Sequence, residues 1–184
     1  MSVLADAVTM DTTTLARPGL ATLVADIRQV IDRGMDAGKT AQAVADLLRG
    51  RDDLDVGILT PDELHGEPGG YAVHLLHAEK EFSVAGLVWQ PGAETPVHDH
   101  IAWCTFAVLS GVEHETLYRV EGERLVEIGR SDNRPGDVSG FAPPGDIHKV
   151  KNTSSQIGVS IHVYGADLAV AGSSIRRVYD LPVA

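Results

Sequence analysis

Two segments most constrain the architecture of this chain: TPVHDHIAWC, residues 95–104, and APPGDIHKVKN, residues 142–152. The first holds His98 and His100, separated by one residue, and the second holds His148 shortly after a Pro-Pro-Gly run. Successive side chains of a β-strand point to opposite faces, so residues two apart share a face. We therefore expect the imidazoles of His98 and His100 to reach one site.

The turn before His148 consists of Pro143, Pro144 and Gly145. Proline presets φ and glycine permits the positive φ that a tight turn can need, so this trio predicts a fixed approach to the next strand. We expect the turn to deliver His148 from across a barrel to the other two histidines. Three converging imidazoles predict a metal site, and the alternative is a set of ordinary polar histidines near a turn.

The ligand type narrows the choice of metal. Neutral imidazoles suit zinc, copper, iron or nickel, and three of them on one face of an octahedral ion leave about three positions open. Without an anionic protein ligand, Fe(II) keeps its full positive charge and favours a thiolate, since metal contact lowers the pKa of a thiol. This predicts thiol chemistry at ferrous iron, while three histidines plus a water also match a zinc hydrolase.

A file of polar residues follows in GVSIHVYGAD, residues 158–167. Ser160, His162 and Tyr164 alternate with aliphatic residues, which predicts a strand with all three on one face. Turned inward, Ser160 would bind His162, and His162 would orient the Tyr164 phenol towards the metal as a hydrogen-bond donor and proton holder. Turned outward, the file would be the solvated side of a half-buried strand.

The frame around the histidines resembles the two signature motifs of the cupin family. The first frame runs from Gly92 to Gly111 and the second from Pro143 to Asn152. The usual pattern has a glutamate ligand after the histidine pair, and here Cys104 takes its place. The resemblance implies a jelly-roll barrel whose acidic metal ligand is missing.

With the polar file added, the chain resembles the cysteine dioxygenase family of cupin thiol dioxygenases, and bacterial members especially. The resemblance runs from about Tyr71 to Asp180 and rests on HDH, PPGDIHKVKN, SIHVYG and RRVYD. It implies an Fe(II) enzyme that converts a small thiol and dioxygen to a sulfinate. The residues that it assigns are the ligands His98, His100 and His148 and the relay Ser160, His162 and Tyr164.

The substrate end departs from the family. In the family, the third residue of the segment that begins at Tyr71 is an arginine that binds the cysteine carboxylate, or a glutamine in enzymes that act on mercaptopropionate. In this chain the corresponding residue is Val73. A valine cannot bind a carboxylate, so His74 or a remote arginine replaces it, or the substrate lacks that group. Arg177 resembles an arginine late in the chain that mercaptopropionate-type enzymes use to bind the substrate acid. The alternative is that Arg176 and Arg177 are a pair of surface residues. We expect Arg177 to bind the carboxylate of the substrate. The first expected substrate is a 3-mercaptopropionate-like acid, and the second is cysteine.

Cys104 is the second departure. Counted back from Gly111, it matches a cysteine of mammalian-type enzymes that links covalently to the relay tyrosine, where many bacterial relatives have glycine. A thioether between Cys104 and Tyr164 is one interpretation, although the loop after His100 is one residue shorter than in the crosslinked enzymes. The plainer interpretation is a free buried cysteine that packs as a small hydrophobic side chain.

Composition limits the classes of function. The chain has 184 residues, 43% hydrophobic and 22% charged, enough for one domain with a substantial core. A net charge of −11 with only 15 Lys and Arg argues against nucleic-acid binding, which needs a basic patch. There is no basic N-terminal region leading into an apolar run and no apolar run of about 18 residues, so we expect a cytoplasmic protein without a membrane span. The expected partners are a small thiol and dioxygen, and no protein partner is predicted.

Periodicity predicts a mainly β fold, a cupin (jelly-roll) barrel with an N-terminal helical cap. Apolar residues at spacings of three and four predict helices over about 18–33 and 40–48. We expect one domain, with residues 1–55 as the cap and 56–184 as the barrel. The predicted strands are 71–77, 82–89, 105–109, 115–120, 125–128, 138–142, 148–151 and 157–164.

The function expected from the sequence is an Fe(II)-dependent thiol dioxygenase. One alternative is a zinc- or manganese-dependent cupin hydrolase or isomerase, and another is a cupin that binds an effector without catalysis. The metal content and the consumption of oxygen separate these three classes.

Overall fold

The computed structural model describes the backbone of residues 9–10, and residues 17 and 19–184 in full. The helices are α1 (Leu20–Ile31), α2 (Ala37–Arg49) and α3 (Leu168–Ala171), with 3-10 turns at Val56–Ile58 and Glu63–His65. The strands are β1 (Thr9–Met10), β2 (Tyr71–Glu79), β3 (Phe82–Trp89), β4 (His98–His100), β5 (Cys104–Ser110), β6 (Glu113–Glu121), β7 (Arg124–Asn133), β8 (Val138–Phe141), β9 (His148–Asn152), β10 (Gly158–Tyr164) and β11 (Ile175–Val178).

The strands form two sheets, in the orders β1-β2-β3-β10-β5-β8 and β11-β4-β9-β6-β7. The pairs are antiparallel apart from β1 with β2. An apolar cluster that includes Leu75, Leu87 and Trp89 of the first sheet and Val150 of the second lies between them. The prediction of a mainly β cupin barrel with N-terminal helices is confirmed.

Both helices of the N-terminal part pack on the outer face of the six-stranded sheet. Ile27 of α1 and Val44 of α2 share one buried cluster with Val84 and Ile161. Gly140 lets α2 come close, because a Cβ atom there would lie 2.6 Å from the Ala41 carbonyl oxygen. The sheet is therefore covered on both faces, which explains why β3 and β10 are buried along their whole length.

The helices appear where the periodicity predicts them, at Leu20–Ile31 and Ala37–Arg49. The second begins three residues early because the Asp36 carboxylate caps it, accepting a hydrogen bond from the Lys39 backbone N–H at 3.0 Å. Residues 1–8, 11–16 and 18 of the expected cap lie outside the described residues. Because helices and sheet share a core, we propose that residues 1–55 and 56–184 fold as one unit.

Each predicted strand has a counterpart, although β7 is ten residues long where four were predicted, and the strand β11 (Ile175–Val178) was not predicted. This strand is short and mostly exposed, so no apolar run marks it. It pairs with β4 at the edge of the five-stranded sheet. No helix in the described part of the chain is long and apolar enough to cross a bilayer.

Candidate metal centre

The three predicted ligands meet on two adjacent strands. His98 of β4 and His148 of β9 are register partners, and His100 follows two residues along. The candidate ligand atoms lie within 4.8 Å of one another, and each histidine is at most 5% exposed. The expectation that His148 arrives from across the barrel is wrong, because the turn at Gly145, with φ at 105°, leads into the strand beside β4.

Two buried carboxylates hold two of these rings by their Nδ1 atoms. His148 Nδ1 donates to Glu115 Oε1 at 2.6 Å, and His100 Nδ1 donates to Asp146 Oδ2 at 3.1 Å. The same Asp146 oxygen accepts the backbone N–H of His100 at 2.9 Å. A proton fixed on Nδ1 leaves the lone pair on Nε2, which is the atom that can bind a metal.

His98 is fixed in the same way by the backbone. Its Nδ1 lies 2.9 Å from the Pro96 carbonyl oxygen, which can only accept the ring proton. Its Nε2 lies 3.3 Å from Nε2 of His148. Burial, and then the neighbouring His148 and His100, lower the pKa of His98 to about 3, and burial also lowers the pKa of His100. Neutral imidazoles at ordinary pH are the donors that a transition metal needs.

The sequence did not predict Glu115 and Asp146. Asp146 lies two residues before His148, where it could have been noticed as a potential partner. Glu115 comes from β6 and reaches His148 only because β6 pairs with β9. A signal was present in the EHE segment at residues 113–115, which repeats the one-residue spacing of HDH and so turns both glutamates to one face.

The polar file on β10 points inward. Ser160 Oγ lies 3.0 Å from His162 Nε2, and the Tyr164 hydroxyl lies 3.1 Å from His162 Nδ1. The indole N–H of Trp89 donates to Ser160 Oγ at 3.2 Å. All three side chains of the file are buried, so the solvated interpretation does not describe them.

Burial determines the protonation of this file. It lowers the pKa of His162 to about 3 and raises the pKa of the Tyr164 phenol well above its usual range. The phenol therefore keeps its proton at ordinary pH, and its oxygen lies within hydrogen-bond distance of Nδ1 of the neutral His162 ring. The Tyr164 and His100 ring centroids are 6.1 Å apart, so the file ends beside the three histidines.

Glu113 lies behind the file and was also missed. It is 1% exposed, and hydrogen bonding to Ser160 and Trp89 favours its ionised form. Burial outweighs this, with a contribution from Glu115, and raises the pKa of Glu113 to about 7. The carboxyl group therefore titrates near neutral pH at the far end of the file.

Cys104 takes no part in the ligand group. It is buried, its sulfur lies 3.8 Å from His162 Nδ1, and burial raises the pKa of its thiol. It is the register partner of Tyr164 across β5 and β10, so the two side chains are neighbours on one face.

A small cavity of about 50 Å³ opens in front of His98 and Tyr164. Val73 lines it, as expected for a residue at the substrate position. The other lining residues are Tyr71, Leu87, Thr95, Leu168, Gly172, Ser173, Ser174 and Ile175.

The structure contradicts both expected carboxylate anchors. Arg177 is exposed, with its guanidinium 5.4 Å from the centroid of the Tyr179 ring. Its register partner is Asp99, whose side chain alternates with the flanking histidines and faces away from them. His74 adjoins the cavity-lining Val73 and therefore points to the opposite face of β2.

A known protein family matches most of the chain. The family described as cysteine dioxygenase type I matches residues 10–171. The chain is 33% identical over 106 residues to Auxin-binding protein 1 of Arabidopsis thaliana, over 52% of this chain and 50% of that protein. It thus spans about half the length of that curated relative.

Solved structures of other proteins are similar over about half of the chain. A recombinant oxalate oxidase in complex with glycolate has 18% identity and a TM-score of 0.43, covering 54% of this chain and 53% of that one. The TT1209 protein from Thermus thermophilus has 22% identity and a TM-score of 0.42, covering 54% of this chain and 87% of that one. Because the family match extends over residues 10–171, this protein belongs to the cysteine dioxygenase type I family.

Proposed function

We propose that this protein is an Fe(II)-dependent dioxygenase that adds both atoms of dioxygen to the sulfur of a small thiol and releases a sulfinate. The observation that carries the proposal is the set of three converging imidazoles beside a buried phenol. Three nitrogen donors on adjacent strands fit ferrous iron, which when bound supplies open positions for a thiolate and dioxygen side by side. Family membership supports the same chemistry.

His98, His100 and His148 are the proposed ligands. Glu115 and Asp146 hold two of the rings so that Nε2 faces the shared site. Hydrogen bonds of this kind also make the imidazole a stronger donor. The chain therefore supports the metal with two carboxylates that do not themselves bind it.

Tyr164 is the proposed catalytic donor at the substrate. Its phenol keeps its proton at ordinary pH and can hydrogen-bond the substrate sulfur or an oxygen atom beside the metal. His162 and Ser160 are positioning residues, because they fix the direction of that phenol from within the barrel. Leu87, one of the apolar residues of the cavity, helps to keep water from the sulfur.

The cavity limits the size of the substrate. A volume of about 50 Å³ accommodates only a few atoms beyond the thiol. The expectation of a 3-mercaptopropionate-like acid depended on Arg177, which lies on the outer face with Tyr179. A small thiol is therefore proposed without an arginine anchor.

An oxygen electrode tests the proposal most simply. Protein loaded with Fe(II) under anaerobic conditions is mixed with a small thiol in air-saturated buffer, and we expect one molecule of oxygen consumed for each sulfinate formed. Protein loaded with zinc or manganese is the matched comparison and should consume none. Hydrolysis or isomerisation with zinc or manganese, or ligand binding without turnover by any metal form, would favour the two alternative classes of cupin.

We also propose that Cys104 and Tyr164 can form a thioether, since they are neighbours on adjacent strands. Forming it breaks the S–H bond of Cys104 and one ring C–H bond of Tyr164, and dioxygen, the two-electron oxidant, would take up both hydrogens as hydrogen peroxide with the aid of the metal that the three histidines would hold. The intact mass of protein incubated with Fe(II), thiol and oxygen should therefore fall by two hydrogen masses, and Cys104→Ser should not change in this way. An unchanged wild-type mass would leave Cys104 as a packing residue.

A further inference from the structure

We infer that the substrate is a small thiol whose other end is uncharged at neutral pH and presents an oxygen atom, such as a hydroxyl or a carbonyl. This inference rests on the proposed function and specifies the substrate for the same site. It departs from the acid expected from the sequence. The chemistry of the cavity wall carries it.

The side chains of the cavity wall offer no cation to a carboxylate. All 15 Lys and Arg of the chain fall within the described residues, and none of them lines the cavity. Arg176 and Arg177 follow directly after the lining residue Ile175, yet Arg176 pairs with Asp99 and Arg177 stacks on Tyr179. Both guanidinium groups are therefore engaged on the outer face of the barrel.

The cavity offers no anion to an ammonium group either. None of the described residues along its wall is Asp or Glu. The carboxylates of Glu115 and Asp146 support the histidines and lie behind them. Glu115 is hydrogen-bonded to Nδ1 of His148, and Asp146 to Nδ1 of His100. A substrate with an ammonium group would bury that charge against the wall unpaired.

An unpaired charge is expensive in such a place. Val73, Leu87, Leu168 and Ile175 make much of the wall apolar. Moving an ionised group from water into an apolar site without a partner costs far more than moving a neutral polar group that finds a hydrogen bond. Proteins that bind carboxylates usually supply an arginine fork, and this wall has none.

Two hydroxyls of the wall favour an oxygen acceptor. Thr95 Oγ1 accepts the backbone N–H of Val150 at 3.0 Å, and Ser173 Oγ accepts that of Ile175 at 3.1 Å. Each hydroxyl therefore still has its own hydrogen to donate to a ligand. A neutral hydroxyl or carbonyl oxygen satisfies these donors without bringing a charge.

The test compares thiols of similar size with Fe(II)-loaded protein: 2-mercaptoethanol, 3-mercaptopropionate, cysteamine and cysteine. We expect kcat/KM for 2-mercaptoethanol to exceed that for the acid and for the amine by about tenfold or more, because only the charged ends lose hydration without a partner. Dissociation constants measured without oxygen should follow the same order, which separates recognition from turnover. Equal or better use of 3-mercaptopropionate would overturn the inference.

A charge added to the wall should reverse the preference. Val73→Arg places a guanidinium at the cavity, and we expect the ratio of kcat/KM for acid over alcohol to rise by about tenfold or more. Val73→Leu is the matched control, since it adds bulk without charge and should leave that ratio near the wild-type value. If Val73→Arg does not fold, Val73→Gln supplies neutral donors and should raise the ratio less.

The possible failures are distinguishable. Oxygen uptake that is fastest with the acid, or a ratio in Val73→Arg that does not move, overturns the uncharged substrate and leaves the thiol dioxygenase proposal standing. Absence of oxygen uptake with every thiol, in protein shown to retain Fe(II), overturns the proposed function and this inference with it.

Discussion

Two groups of buried side chains, the histidines His98, His100 and His148 and the file of Ser160, His162 and Tyr164, give their imidazoles different hydrogen-bond partners. His98, His100 and His148 each give Nδ1 to an oxygen that can only accept, a carbonyl or a carboxylate. His162 has a hydroxyl on each nitrogen, Ser160 on one side and Tyr164 on the other. The first group keeps one nitrogen for an ion, whereas the second uses both nitrogens for hydrogen bonds.

The difference shows that the partner, and not burial, assigns the role of each imidazole. Burial is the leading cause that lowers the pKa of both His98 and His162 to about 3, so both rings are neutral at ordinary pH. An acceptor-only partner fixes the proton on Nδ1 and leaves Nε2 available to a metal. Hydroxyl partners can donate or accept, so they tie His162 to the phenol that faces the substrate.

The largest effect should follow from removing a ligand. His100→Ala takes away one of three nitrogen donors, so we expect the affinity for Fe(II) to fall by more than about 100-fold, beyond the loss seen for a supporting residue. Anaerobic metal titration measures this. His114→Ala is the matched control, because His114 pairs with Asp132 away from the site. Equal affinities in the two variants would contradict the ligand assignment.

A smaller loss is expected from the carboxylates behind the ligands. Glu115→Gln keeps the shape of the side chain but removes the charge that holds the His148 proton. We expect Fe(II) affinity to fall by about 10-fold to 100-fold. Glu94→Gln, which alters a surface glutamate paired with Lys149 and Lys151, is the control. An affinity for Glu115→Gln equal to that of this control would mean that Glu115 only packs.

Changing the second group should affect turnover and not metal binding. Tyr164→Phe removes the hydroxyl bound to His162, and we expect kcat to fall by about 10-fold or more. The affinity for Fe(II) should stay at the wild-type value, because the three ligands are untouched. Tyr118→Phe changes a buried tyrosine that does not line the cavity and should keep the wild-type rate. A wild-type rate in Tyr164→Phe would reduce the phenol to a packing group.

The smallest effect concerns stability and pH in the metal-free protein. Folding raises the pKa of Glu113 from 4.5 to about 7, so between these pH values the folded protein binds a proton that the unfolded chain has released. The free energy of unfolding therefore falls as pH rises through that window. The free energy of unfolding of Glu113→Gln, relative to that of the wild type, should therefore rise by about 1 kcal/mol per pH unit between about pH 5 and 7. His98 and His162 contribute the opposite slope in both proteins and cancel in the difference. Urea unfolding at several pH values measures it, and a constant difference would place the Glu113 pKa near its ordinary value.

Much of the site could be predicted from the sequence because strand alternation is a local rule. HDH and SIHVY each fix which side chains share a face, and the structure brings both sets to the barrel interior. The same rule applied to EHE predicts that Glu113 and Glu115 share a face. Applied to the neighbours Val73 and His74, it excludes that both point into the cavity.

Other features depend on strand pairing, which no local pattern specifies. Glu115 reaches His148 only through the pairing of β6 with β9, and His148 lies beside His98 only because β9 pairs with β4. Arg177 lies on a short exposed strand whose register with β4 shifts after Ile175. A resemblance in the sequence could therefore locate this arginine in the chain but not assign its face.

Mass spectrometry of the product formed under isotopically labelled dioxygen is the decisive experiment for thiol dioxygenation by this protein. With Fe(II)-loaded protein and 2-mercaptoethanol, we expect a sulfinate in which both oxygen atoms on sulfur carry the label. A product with one labelled oxygen or none, formed by protein that retains its iron, would contradict thiol dioxygenation.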